Sequence, residues 1–238
     1  RNMVQTKPTW LNLEYLSAEK WVDDFHAQQS IHPATGLKKT FFFPGFTAKT
    51  GGLLREHHLK SARAVFKTTE FWGQLGIAPV ESSIKISLFC YPHAPIKDLL
   101  NSISQGTQPT HCFVPNTTIL PVVAEYFGKA ALKVGETVSH KQLTITVLPF
   151  LSQNEYDHLL WACDLNFVRG EDSWIRALWA AKPFVWQTYQ QDENLHLAKL
   201  KAFFDTYQPA PCLADFNRAW LEGQIHQAPW DQLIGKLP

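Results

Sequence analysis

Between Ile84 and Trp186 short apolar, β-branched runs alternate with longer amphipathic ones, and this order limits the fold more than any other feature of the chain. Ile84 to Phe89 alternates like a strand, and Pro95 opens a helix with Ile96, Leu99, Leu100 and Ile103 at helical spacing, closed by Gly106. His111 to Val114 reads as a buried strand ending at Pro115-Asn116, followed by a helix through Val122, Val123 and Tyr126 that stops at Gly128. Leu143 to Leu148 is a third strand. Ser152 then stands three residues before Glu155, the capping-box spacing, ahead of a helix through Tyr156, Leu159, Leu160 and Cys163. Leu165 to Val168, Ser173 to Ala181, Phe184 to Trp186 and Leu195 to Tyr207 continue the series. Alternation of this kind predicts an α/β fold, a parallel sheet with helices on both faces.

The first 80 residues read differently, with strands at Trp10 to Glu14 and Phe41 to Phe43 and a short acidic-aromatic helix from Glu19 to Phe25. Two strands and a loop are too little for an α/β domain, so residues 1–80 are expected to be the end of a preceding domain plus a linker. Residues 81–208 then form the α/β domain itself, and 209–238 a helical tail returning across the linker. Arg1-Asn2-Met3 shows no secretory signal and reads as the middle of a longer protein.

Charge and cysteine usage remove several classes of function. Among 238 residues, 22 Lys+Arg face 21 Asp+Glu, a net charge of +1 with no basic block for nucleic acid. No apolar run approaches the roughly 18 residues of a membrane span. Cys90, Cys112, Cys163 and Cys212 stand far apart without C-x-x-C spacing, which suits reduced thiols in a cytoplasmic protein rather than a zinc site or disulfide frame. G-x-G-x-x-G, P-loop and H-E-x-x-H motifs are absent, and His57-His58 reads as a surface pair.

In an open parallel sheet, ligands bind beyond the carboxyl ends of the strands. The residues there are Phe89-Cys90-Tyr91, Pro115-Asn116, Pro149-Phe150, Arg169 to Ser173, and Gln187 to Asn194. Arg169-Gly170-Glu171-Asp172-Ser173 is the densest cluster. It puts a guanidinium, two carboxylates and a hydroxyl on a turn entering a helix, where free N–H groups and the helix dipole favour an anion. The same residues also fit a plain helix start, with Asp172 as cap and Arg169 as counter-ion. Phe89, Tyr91, Phe150 and Tyr156 fit either core or a base-binding slot.

Four separated blocks resemble one known family. Trp10 to Glu19, Phe43-Pro44-Gly45-Phe46-Thr47 with Thr50-Gly51-Gly52-Leu53, Arg169 to Ser173, and Gln191-Asp192-Glu193-Asn194-Leu195-His196 are similar to EarP, the protein-arginine rhamnosyltransferases of bacterial translation elongation factor P. The resemblance implies a GT-B fold of two Rossmann-like domains. It also implies inverting transfer of rhamnose from dTDP-β-L-rhamnose to an arginine of the factor, without metal or other cofactor. It places thymine between Phe150 and Tyr156 with Gln153 at its edge, and Phe89 and Tyr91 beside the nucleoside. Arg169, Asp172, Ser173 and Tyr189 become nucleotide and diphosphate contacts, and Glu171 a catalytic carboxylate. Position 156 is Tyr where the family often has Phe. The family's amino-terminal loop with its aspartate base has no counterpart before Arg1, so this chain is expected to bind donor without transferring its sugar. Donor-side motifs leave two other readings open, a GT-B enzyme with a different acceptor and a nucleotide-binding module without activity of its own.

Overall fold

A computed structural model describes residues 9–78, 81–190 and 195–237, which divide into two compact units, 1–56 with 190–208 and 57–189 with 209–238. In the first unit, β1 (Trp10–Leu13) pairs parallel with β3 (Lys38–Phe42), which pairs antiparallel with β2 (Gln29–Ile31). Helix α1 (Val22–Phe25) buries Val22. Trp21 meets Phe43 edge to face at 5.5 Å.

The second unit holds α2 (Leu59–Ala64), α3 (Thr68–Gln74), β4 (Ile84–Leu88), α4 (Ile96–Gln105), β5 (Thr110–Pro115) and α5 (Leu120–Tyr126). It continues through β6 (Thr137–His140), β7 (Leu143–Leu148), α6 (Gln153–Ala162), β8 (Leu165–Arg169), α7 (Asp172–Ala180) and β9 (Phe184–Gln187). Its sheet runs in the order β6-β7-β5-β4-β8-β9, with every pairing parallel except β6 on β7. The parallel series is as the sequence predicts. The antiparallel edge strand is an addition, because Thr137-Val138-Ser139-His140 buries only Val138 and carries little apolar signal.

Alternation along the strands gives the sheet two chemically different faces. Ile86, Leu88, Cys112, Val114, Ile145 and Phe167 point into one core with α4 and α5. Phe113 and Leu148 belong to a second core, where Trp72 of α3 stacks on Phe113 at 4.3 Å beside Leu159 of α6. Buried polar side chains satisfy one another: the Ser87 hydroxyl donates to Asn166 Oδ1 at 2.6 Å, and Asn166 Nδ2 donates to the Leu160 carbonyl at 3.0 Å. His111 Nε2 lies 2.8 Å from Thr146 Oγ1. Left unpaired, each such group costs about 1–3 kcal/mol.

The domain ranges read from the sequence differ from the compact units at three places. Residues 57–78 pack with the sheet unit, since Phe66 meets Trp161 and Phe71 meets His158 edge to face at 5.8 Å. Helix α8 (Leu195–Tyr207) groups with residues 1–56 instead of closing the sheet domain, because the ring of its buried Phe203 packs 5.7 Å from that of Phe46. The tail, α9 (Pro211–Glu222) and α10 (Gln227–Ile234), enters the sheet unit's core rather than returning over a linker. Trp220 packs edge-on to Phe167 at 4.9 Å, and Asn217 exchanges two 2.8 Å hydrogen bonds with the Trp186 backbone.

Candidate functional site

The topology reverses at β4, which has β5 on one side and β8 on the other. The first pair of crossover helices, α4 and α5, lies on one face of the sheet, and α6 packs on the opposite face against α7. Such a switch point opens a crevice at the carboxyl ends of the two central strands. A cavity of about 510 Å³ lies there, lined from four strand ends: Phe89 and Tyr91 after β4, Pro115 and Thr117 at β5, Phe150 and Leu151 after β7, and Arg169 to Ser173 at β8. Gln153, Tyr156 and Arg176 complete the wall from α6 and α7. Nine of the ten residues named from the sequence are therefore in one wall. The tenth, Tyr189, stands edge-on to Tyr91 at 6.1 Å and is largely exposed.

The β8 end of the cavity is tightly built. The Arg169 guanidinium carbon lies 4.3 Å from the centre of the Phe89 ring and 4.8 Å from that of Tyr91, and its Nη1 donates to the Cys90 carbonyl at 3.4 Å. Two aromatic faces thus orient one cation while its remaining N–H groups stay available. Gly170 has φ +63°, a conformation L side chains rarely adopt, and a Cβ there would sit 2.9 Å from the Tyr91 hydroxyl. The Trp186 indole donates to the Gly170 carbonyl at 2.6 Å and stacks on Trp174 at 3.7 Å. Gln187 anchors the adjacent strand end by accepting the Tyr91 N–H at 2.7 Å.

Ser173 holds the turn rather than facing outward. Its hydroxyl accepts the Arg169 N–H at 2.9 Å and donates to the Arg169 carbonyl, and the residue is buried. Glu171 occupies the N-cap position of α7 without a side-chain cap bond, half-buried in the cavity wall. Asp172 is not the cap either: its carboxylate lies 3.5 Å from Arg176 Nε, one helical turn on. The first N–H groups of α7 are therefore uncovered by the side chains expected to cap them.

The β7 end is open by comparison. Phe150 is 85% exposed, which removes the core alternative for that residue. Gln153 is exposed at the start of α6, whose capping box is present as predicted: the Glu155 N–H donates to Ser152 Oγ, and the Ser152 N–H to Glu155 Oε2. Hydrogen bonds from the Ser152 hydroxyl and from its backbone N–H hold the Glu155 carboxyl below its usual range. Tyr156 meets Phe89 edge to face at 5.5 Å. Its hydroxyl is buried toward Ser173, and burial pushes the phenol well above its ordinary pKa against the opposing pull of that neighbour. Behind the wall, burial pushes the Cys90 thiol up to about 12, against the opposing pull of Arg169, so it stays a neutral thiol.

The sequence reading missed Thr117, Leu151 and Arg176 in the lining. Arg176 had a signal, a lone charge within Trp174 to Trp179 placed four residues after Asp172. The block Gln191 to Asn194 lies outside the described residues. Among the described residues no group of three or more His, Cys, Asp or Glu is placed to hold a metal ion, and no helix is long and apolar enough to cross a membrane.

The family model described as Elongation-Factor P (EF-P) rhamnosyltransferase EarP matches residues 1–238. The chain belongs to the EarP family. A protein-arginine rhamnosyltransferase of Pseudomonas putida is 46% identical over 206 residues, covering 84% of this chain and 54% of that protein. The enzyme of the same name from Pseudomonas aeruginosa is 42% identical over 240 residues, covering 96% and 64%. One from Neisseria meningitidis is 36% identical over 202 residues, covering 84% and 52%. The chain thus spans between about half and two thirds of the length of these relatives. A solved structure concerned with EarP-mediated arginine glycosylation of translation elongation factor EF-P matches with TM-score 0.75 at 35% identity, over 83% of this chain and 66% of that one. This likeness is to an EarP structure, and the α/β fold with its mostly parallel sheet accords with it.

Proposed function

We propose that the cavity binds dTDP-β-L-rhamnose, and that the whole protein to which this chain belongs is an inverting GT-B glycosyltransferase moving rhamnose onto an arginine of translation elongation factor P. The observation that carries the donor reading is the β8 end of the cavity. An aromatic-clamped guanidinium stands beside the amino terminus of α7, at the switch point of a parallel sheet. These groups match a leaving diphosphate, which needs positive potential as its charge develops. Arg169 and the α7 N–H groups supply that potential without a divalent ion. Phe150 and Tyr156 bracket the thymine, Gln153 meets its edge, and Phe89 and Tyr91 flank the nucleoside. Tyr189 reaches the diphosphate from the far side of Tyr91, Asp172 accepts from a sugar hydroxyl, and Ser173 contributes through the turn it holds. Names and likeness to EarP relatives support the acceptor, and the buried thiols of Cys90, Cys112 and Cys163 suit a reducing cytoplasm.

In the reaction, a guanidine nitrogen attacks the anomeric carbon as the bond from that carbon to the diphosphate oxygen breaks. dTDP leaves with the bonding electrons, and the guanidinium proton passes to a carboxylate. Arginine is protonated at rest, with a pKa above about 12, so the acceptor arrives as a cation that a carboxylate must hold. Glu171 has that role, because a second anion facing the diphosphate would oppose binding. In the complete enzyme, Glu171→Gln should lower the transfer rate constant at least about 10²-fold with donor affinity little changed. Parental transfer with altered dTDP affinity would instead make Glu171 a donor-side residue.

A further inference from the structure

Running from the cavity wall at Arg176 to Asp157 behind it is an ion pair that the donor reading does not use. Arg176 and Asp157 are both buried, with side chains 6% and 4% exposed, and Arg176 Nη1 donates to Asp157 Oδ2 at 2.7 Å. A pair so placed is a poor source of stability, since desolvating both charges offsets most of their attraction. The guanidinium has a second charged neighbour. Its Nε stands 3.5 Å from Asp172 Oδ2 at the cavity rim, an ion-pair distance without a hydrogen bond, and the Asp172 side chain is 80% exposed. One planar group therefore links α6, which carries Gln153 and Tyr156, to the first turn of α7, which carries Asp172 and Ser173.

We propose that Arg176 is a positioning residue: anchored by Asp157, it holds the Asp172 carboxylate where the donor's sugar hydroxyls meet the cavity. This rests on the reading of the cavity as a donor site. The chemistry requires arginine, because a planar guanidinium held by Asp157 through Nη1 keeps its delocalised charge fixed beside Asp172, whereas a lysine ammonium is a single point charge on a flexible stem. The i,i+4 order, acid before base, is also the favourable one along a helix. Asp157 is needed because an unanchored Arg176 would turn toward solvent and release Asp172.

The test is a mutant cycle on the 238-residue chain, titrated calorimetrically with dTDP-β-L-rhamnose in the absence of acceptor. Asp172→Ala and Arg176→Lys should each weaken binding about five- to tenfold, and the double variant should bind no more weakly than Asp172→Ala alone. Asp157→Asn is a second route should Arg176→Lys fold poorly. It should reproduce the loss in the parent and add nothing in the Asp172→Ala background. A structural role alone would lower the melting midpoint and give losses that multiply in the double variants, and that result overturns the proposal. Failure of the parent chain to bind the nucleotide sugar would instead remove the donor reading and this inference with it.

Discussion

The two ends of the cavity are built on opposite principles. At β8 every element is fixed: Arg169 lies between two rings, Ser173 bonds both polar atoms of the Arg169 peptide, and Trp186 holds the Gly170 carbonyl. At β7, Phe150 and Gln153 stand in solvent on a well-capped but outward-facing helix start. The contrast follows the chemistry of what each end is proposed to hold. Developing charge is stabilised most by donors that do not reorganise, whereas a base can stack on a ring that settles around it.

Acid should weaken the sheet that carries both ends. Burial holds His111, near the amino end of β5 beside Thr144 of β7, neutral with its pKa lowered to about 4 from 6.5, with Lys85 adding to the depression. The unfolded chain therefore binds more protons between those values, so stability present above pH 6.5 is lost as pH falls toward 4, by up to about 3 kcal/mol. Urea unfolding across that window should show the loss, and a His111→Asn variant should show less of it; equal slopes would mean that His111 is not the group responsible. Next in size, Arg169→Ala should weaken dTDP binding by about 1.5–3 kcal/mol, the range for hydrogen bonds to a charged group. Calorimetry measures this directly, and an unchanged dissociation constant would leave the rigid end without its anion. Phe150→Ala should cost about 1–3 kcal/mol of the same affinity while the melting midpoint stays put, because an exposed ring contributes little to the fold. A collapsed midpoint with unaltered affinity would reverse the assignment of that end.

The sequence carried the rigid end further than the open one. Val168, Arg169 and Gly170 close an apolar run and start a helix, a pattern that periodicity alone exposes. Ser152 and Glu155 likewise announced α6. What escaped is made of residues whose partners are distant in sequence. Arg176 meets Asp157 across two helices, and Trp220 and Trp230 in a polar tail fill a core begun more than a hundred residues earlier. Strands β2 and β6 escaped because both are edge strands with few buried residues, where tertiary pairing rather than pattern decides. The hydroxyl of Ser173 could be placed at the turn from sequence, but only the folded turn shows it committed to the Arg169 peptide.

The central claim is that this cavity is a nucleoside diphosphate-sugar site, and the most direct measurement is a titration of the chain with dTDP in EDTA. A saturable one-to-one isotherm, strongly weakened by Arg169→Ala and competed by dTDP-β-L-rhamnose, is the predicted result. Absence of binding in EDTA, or binding that Arg169→Ala leaves intact, would contradict it.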